Sequence, residues 1–206
     1  MASAAHSIHR ATTADLLALP AEDRFHEIID GELVRKALPS FRHGAAQVEL
    51  AGDIGAAYGP RARGRGPGGW VFATEVEIAF EPHQVLRPDL AGWRRERLPR
   101  PPGETPVTLR PDWVSEILSP STKQNDLFKK LRIYARNQVP HYWILDPDVA
   151  VLWVYRWTAE GYLLVHTAEG QERVRAEPFD AVELSVQSLL GDDDAPDSPP
   201  DASSVP

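Results

Sequence analysis

The sequence predicts an α/β (α+β) fold, a mixed β-sheet flanked by helices with additional β-hairpins. Three observations predict it. Segments 25–38 and 141–155 each read as two short strands around a tight turn, residues 112–146 run strand, helix, strand, and no internal repeat competes with that pattern. With 42% hydrophobic residues in 206, the chain is long enough to bury about 70% of the surface its unfolded form exposes, so it needs no disulfide or structural zinc. Residues 1–190 are read as a single domain and 191–206 as an acidic disordered tail, because Asp, Pro, Ser and Gly cannot bury enough apolar surface to offset the entropy of ordering.

Each element has its own signal. Thr13 caps a short helix carrying Leu16, Leu17 and Leu19, which Pro20 stops. FHEIIDGELVRKAL folds back at Asp30-Gly31, the two-residue type I′ hairpin signal. Over 41–58 the residues Ala45, Val48, Leu50, Ala51, Ile54 and Tyr58 recur at roughly helical spacing, and Gly59-Pro60 ends the run. Residues 70–80 alternate as one strand, and 85–93 form another around Pro88-Asp89. A long connection rich in Arg and Pro covers 94–111. Residues 112–118 are a strand, SPST at 119–122 a turn and helix cap, and 123–138 a helix. A hairpin crosses Pro147-Asp148, a strand covers 161–167, and a last short element near 186–190 closes the body.

Composition excludes several chemistries. The chain has no Cys, which removes thiol catalysis and thiolate metal sites. It has no signal-peptide-like start and no run approaching the ~20 apolar residues of a membrane span, so a cytoplasmic protein away from membranes is expected. No P-loop, H-E-x-x-H pair or G-x-S-x-G elbow is present. The net charge is −8, and Asp192, Asp193, Asp194, Asp197 and Asp201 carry five of those charges, leaving −3 on residues 1–190. Basic residues cluster locally, at Arg61, Arg63 and Arg65 and again at Arg94 and Arg95, where a nucleic-acid-binding surface could form.

Three residues stand out as candidates for chemistry. On the strand at 112–118, a period of two puts Glu116 on the face of Val114 and Leu118. A carboxylate there is salt-bridged for structural reasons, protonated, or bound to a cation. Asp89 follows Pro88, which suits a strand end facing a cleft, although taken alone a turn Asp capping its own backbone is the better reading of the residue. At about 100° per residue, Lys130 borders the buried stripe of its helix while Lys129 points away. A flanking Lys can simply snorkel, but one helix after Glu116 it returns over the strand's C-terminal end. Two carboxylates and an ammonium at a strand end are what metal-dependent phosphodiester hydrolysis requires.

The order IIDGEL (28–33), RH (42–43), RPDL (87–90), SEILSPST (115–122), D-x-x-x-K (126–130) and YARNxVPHYWILD (134–146) resembles the Uma-type restriction endonuclease family of the PD-(D/E)xK nuclease superfamily. The resemblance implies a restriction-endonuclease-like core and Mg²⁺- or Mn²⁺-dependent cleavage of DNA. It matches Asp89 to the Asp of the PD motif and Glu116 to the (D/E). Leu118 stands where the motif's Lys belongs, and the resemblance nominates Lys130 in its place. Glu32 and His43 match recurrent family positions as possible supporting residues, against plainer readings as a solvated strand face and a helix-start His. A second reading is a catalytically inactive protein keeping this fold to bind nucleic acid or to form a homodimer. Trp143, Trp153, Tyr155 and Trp157 are its candidate pairing surface.

Overall fold

A computed structural model describes residues 9–60, 62, 66–120 and 123–191. The chain begins with helix α1 (Thr13–Leu17), whose N-cap is Thr12 rather than Thr13: the Thr12 hydroxyl accepts from the Asp15 amide while the Asp15 carboxylate accepts from the Thr12 amide. Strands β1 (His26–Ile29) and β2 (Glu32–Arg35) form the expected hairpin, with Asp30 at φ 53° and Gly31 at φ 85° in its turn. Helix α2 (Phe41–Tyr58) is capped by Ser40, and its buried stripe is Ala46, Leu50, Ile54 and Tyr58, one residue per turn.

Both segments read as single strands are divided between two sheets. Residues 70–80 become β3 (Trp70–Thr74) and β4 (Ile78–Glu81), separated where Glu75 adopts φ 54°. Residues 85–93 become β5 (Gln84–Leu86) and β6 (Leu90–Arg94), separated at Pro88, which has no amide hydrogen to give a ladder. The later strands are β7 (Trp113–Ile117), β8 (His141–Asp146), β9 (Val151–Thr158) and β10 (Gly161–Glu169). A mixed six-stranded sheet runs β10-β9-β8-β7-β6-β3, with only β7 and β8 parallel, and a four-stranded antiparallel sheet runs β2-β1-β5-β4.

The helix expected over 123–138 is not a uniform α-helix. Residues 125–130 are wound as a π-helix and continue into α3 (Leu131–Arg136). Lys130 is therefore more than a flank of the buried stripe: it is 2% exposed. The chain closes with a small pair of strands, β11 (Arg173–Val174) and β12 (Leu184–Ser185), and helix α4 (Val186–Leu189).

The two faces of the large sheet carry two cores. On one, α2 and the C-terminal segment pack on Trp70, Trp113, Ile117 and Trp143, with the Phe179 ring 4.9 Å from Trp70, 5.1 Å from Trp113 and 5.5 Å from Trp143 in edge-to-face contacts. Such pairs add about 0.5–1.5 kcal/mol each beyond their burial. On the other face, Val114, Leu118, Tyr142 and Ile144 pack against Ile133 and Tyr134 of α3 and against Ile29, Ile78 and Leu86 of the small sheet. Of the aromatic residues offered as a dimer surface only Trp143 is fully buried, while Trp153, Tyr155 and Trp157 are half-buried and also make contacts within the fold. Tyr155 lies 6.1 Å from the Tyr162 ring, Trp153 packs on the second core, and the Trp157 indole donates to the Ala135 carbonyl. No helix among the described residues is long and apolar enough to cross a membrane.

Candidate active site

β7 lies between β6 and β8, and Leu90 pairs with Ser115, so Asp89 arrives opposite Glu116 at the seam between the two sheets. Both are 1% exposed. Glu116 keeps the face that alternation assigns it, shared with Val114 and Leu118. At that seam Asp89, Glu116, Lys130 and His43 line one pocket together with Lys36, Glu75 and Asp126.

The pocket has two cationic poles. At the first, the Lys130 ammonium lies 3.0 Å from Glu27 Oε1, 3.1 Å from Glu116 Oε1 and 3.1 Å from Asp126 Oδ1. Tyr134 donates its hydroxyl to Glu116 Oε1 at 2.7 Å, and the Arg87 amide donates to Glu27 Oε1 at 2.7 Å. At the second, the Lys36 ammonium donates to Asp89 Oδ1 at 2.7 Å, Glu75 Oε2 at 2.8 Å and the Arg87 carbonyl at 2.7 Å. The Ile117 amide donates to Asp89 Oδ2 at 2.6 Å, and His43 Nε2 stands 3.3 Å from Asp89 Oδ1. His43 sits one turn into α2, where the Ser40 cap accepts its amide.

Burial and these partners set the proton affinities. Burial drives Glu116 well above the usual carboxylate range, because the Lys130 charge that opposes it is shared with Asp126 and Glu27. Burial also acts to raise Asp89, but Lys36 and then His43 outweigh it and hold this carboxyl below its ordinary value. Burial would lower both lysines, yet Asp89 raises Lys36, and Asp126, Glu116 and Glu27 raise Lys130. Five carboxyl groups thus meet two ammonium groups in a largely buried site, and the raised proton affinity of Glu116 is the response to that acidic excess.

That donor set suits a hard divalent cation, which takes carboxylate oxygens and inverts the local preference for protonation. One potential ligand atom each from His43, Glu75 and Asp89 lies within 4.8 Å of the others, with Glu116 on the neighbouring strand. Other expected positions lie elsewhere. Glu32 is exposed on β2, and Glu27, across the same hairpin, points to Lys130 in its stead. Arg94 and Arg95 are exposed at the far end of β6 from Asp89, on the order of 15 Å away along the strand, where the Arg94 guanidinium stacks over Trp70. Arg61, Arg63 and Arg65, and residues 192–206 of the acidic tail, lie outside the described residues.

Sequence reasoning missed Glu27, Lys36, Glu75 and Tyr134, and it quoted Asp126 only as the start of D-x-x-x-K. The available signals were faint: Lys36 is one of four Lys in the chain, and Glu75 falls in step with the alternation of 70–80.

Residues 13–187 match a family described as "Putative restriction endonuclease", Uma2. Among solved structures, the chain is similar to a "putative nuclease belonging to DUF820" from Anabaena variabilis, with 25% sequence identity and a TM-score of 0.69. The match covers 87% of this chain and 97% of that one. No curated protein matches the chain.

Proposed function

The chain belongs to the Uma2 family and has a restriction-endonuclease-like fold, and from that premise we propose that it is a divalent-metal-dependent endonuclease hydrolysing phosphodiester bonds of DNA. The observation that carries this reading is the convergence of Asp89 at the start of β6, Glu116 of β7 and Lys130 of the π-helical segment on one acidic pocket.

In this reading Asp89 and Glu116 hold the ion, Mg²⁺ or Mn²⁺. When bound, the ion supplies Lewis-acid activation of the phosphate and of the attacking water. The protein supplies orientation. The Ile117 amide pins Asp89 Oδ2, leaving Oδ1 toward the pocket, and Tyr134 fixes Glu116 through Oε1. Lys130, held by three carboxylates, places a fixed positive charge where negative charge develops on the phosphate. Nothing need reorganise when the transition state forms, which is where such preorganised charge gains its effect.

Calorimetric titration of Mn²⁺ into the wild type, Asp89→Ala and Glu116→Ala tests the site, paired with plasmid nicking that includes Lys130→Ala. Metal binding abolished by both carboxylate substitutions, with nicking lost in all three variants, is the expected result. A wild type that binds no Mn²⁺ overturns the reading in favour of a non-catalytic protein of this fold.

A further inference from the structure

Lys36 has no place in the chemistry described so far, yet it is among the most constrained side chains of the site. It follows directly after β2, is 7% exposed, and sends its ammonium to three oxygens at 2.7–2.8 Å: Asp89 Oδ1, Glu75 Oε2 and the Arg87 carbonyl. An ammonium has three N–H donors, so all are satisfied. Two of these acceptors, Asp89 and Glu75, are the groups that with His43 offer closely spaced ligand atoms for a cation. The ammonium and a divalent ion therefore compete for the same two carboxylates, and two cations at such range in a desolvated site repel strongly.

Resting on the metal reading above, we propose that Lys36 is the resident counter-cation of the Asp89–Glu75–His43 cage and that a divalent ion enters only by exchanging with it. The geometry gives the ammonium a way out. Lys36 ends the hairpin, and the next residues, Ala37, Leu38 and Pro39, line the pocket wall without regular structure, with Leu38 80% exposed at its rim. A four-carbon stem on such a segment can swing to water. Lys130 does not make the same exchange, because it is fixed within the π-helical segment and two of its three carboxylate partners at 3.0–3.1 Å, Glu27 and Asp126, are not ligands of the ion. In the ion-free protein Lys36 keeps the buried Asp89 compensated.

Two measurements test the exchange. In the full-length wild type, lysines are acetylated with acetic anhydride with and without saturating Mn²⁺ and read by peptide mass spectrometry. Labelling of Lys36 is expected to rise about tenfold with the ion, as it leaves a buried cage for water, while Lys130 stays protected. In Lys36→Met, Mn²⁺ affinity by calorimetry is expected to tighten at least about tenfold, because a like charge beside the ion is gone. Mn²⁺ binding with Lys36 still protected, or with unchanged or weaker affinity in Lys36→Met, overturns the exchange and leaves the metal reading standing. Absence of binding in the wild type and in a folded Lys36→Met overturns both. Should the variant not fold, the labelling of the wild type decides.

Discussion

His141 shows how a single side chain ties stability to pH. It opens β8 with Nδ1 buried and without a hydrogen-bond partner among the described residues. Burial first, and then the Arg94 and Arg156 guanidiniums, push its imidazolium from 6.5 down to about 4. The folded state thus stays neutral at a pH where the unfolded chain already takes up a proton, so stability falls as pH drops from 6.5 to about 4 and changes no further from this group below that. Partial exposure discounts the effect to about 1–2 kcal/mol in all. Urea unfolding at pH 7 and pH 5 checks it: His141→Gln should lose less stability between the two than the wild type does, and equal losses refute the assignment. The residues legible in the sequence were those that break a local pattern. Glu116 interrupts an apolar strand face and Asp89 follows a Pro, whereas Glu27 and Glu75 look like ordinary solvated strand residues until the fold stacks one sheet against the other.

At the scale of elements, the β1–β2 hairpin delivers Glu27 from one strand and Lys36 from the end of the other, in a register that pairs Ile29 with Glu32 and Glu27 with Val34. Its turn depends on Gly31 at φ 85°, where an added Cβ would meet Arg10 Cβ at 3.0 Å and Nε at 2.8 Å. Gly31→Ala should therefore cost about 1–2 kcal/mol, from the left-handed backbone and the displaced Arg10 together. Chemical denaturation measures it, and a loss within ±0.5 kcal/mol, the usual range for a plain surface change, would count against the turn as the fixed point of the hairpin. The hairpin was legible because Asp30-Gly31 carries its own backbone requirement. The division of 70–80 and 85–93 was not, because both halves of each segment are strands and the alternation of 70–80 runs through its break. The physical cause lies at Glu75 and Pro88, where the chain leaves one sheet for the other, and those crossings bring Glu75 and Asp89 to the same seam, with the Glu75 amide reaching the Asp89 carbonyl at 3.4 Å. The π winding of 125–130 was likewise hidden, since a helical wheel assumes a constant turn angle; the winding carries Lys130 from the border of the apolar stripe into the site.

For the molecule as a whole, a net charge of −8 and an acidic pocket must be reconciled with the polyanionic substrate proposed above. Phosphate neutralisation by Lys and Arg normally supplies nucleic-acid affinity, yet Arg94 and Arg95 sit at the far end of β6, and both lysines of the pocket are already bound to carboxylates. A scissile phosphate approaching Asp89 and Glu116 meets a site where five carboxyl groups outnumber two ammonium groups, an acidic excess that a divalent ion offsets. DNA affinity should consequently depend on the ion. Measured by fluorescence anisotropy at about 0.1 M salt, where charges beyond roughly 10 Å are screened, binding should be at least about tenfold tighter with Ca²⁺ than with EDTA. The same charge balance gives Asp89→Asn the opposite sign without any ion: Lys36 and His43 keep this carboxylate ionised, so removing its buried negative charge beside the phosphate should strengthen binding in EDTA relative to the wild type. A wild type that binds DNA equally well in Ca²⁺ and EDTA would mean that phosphates dock away from this pocket, and the seam between the two sheets would lose its claim to be where the strand is cut.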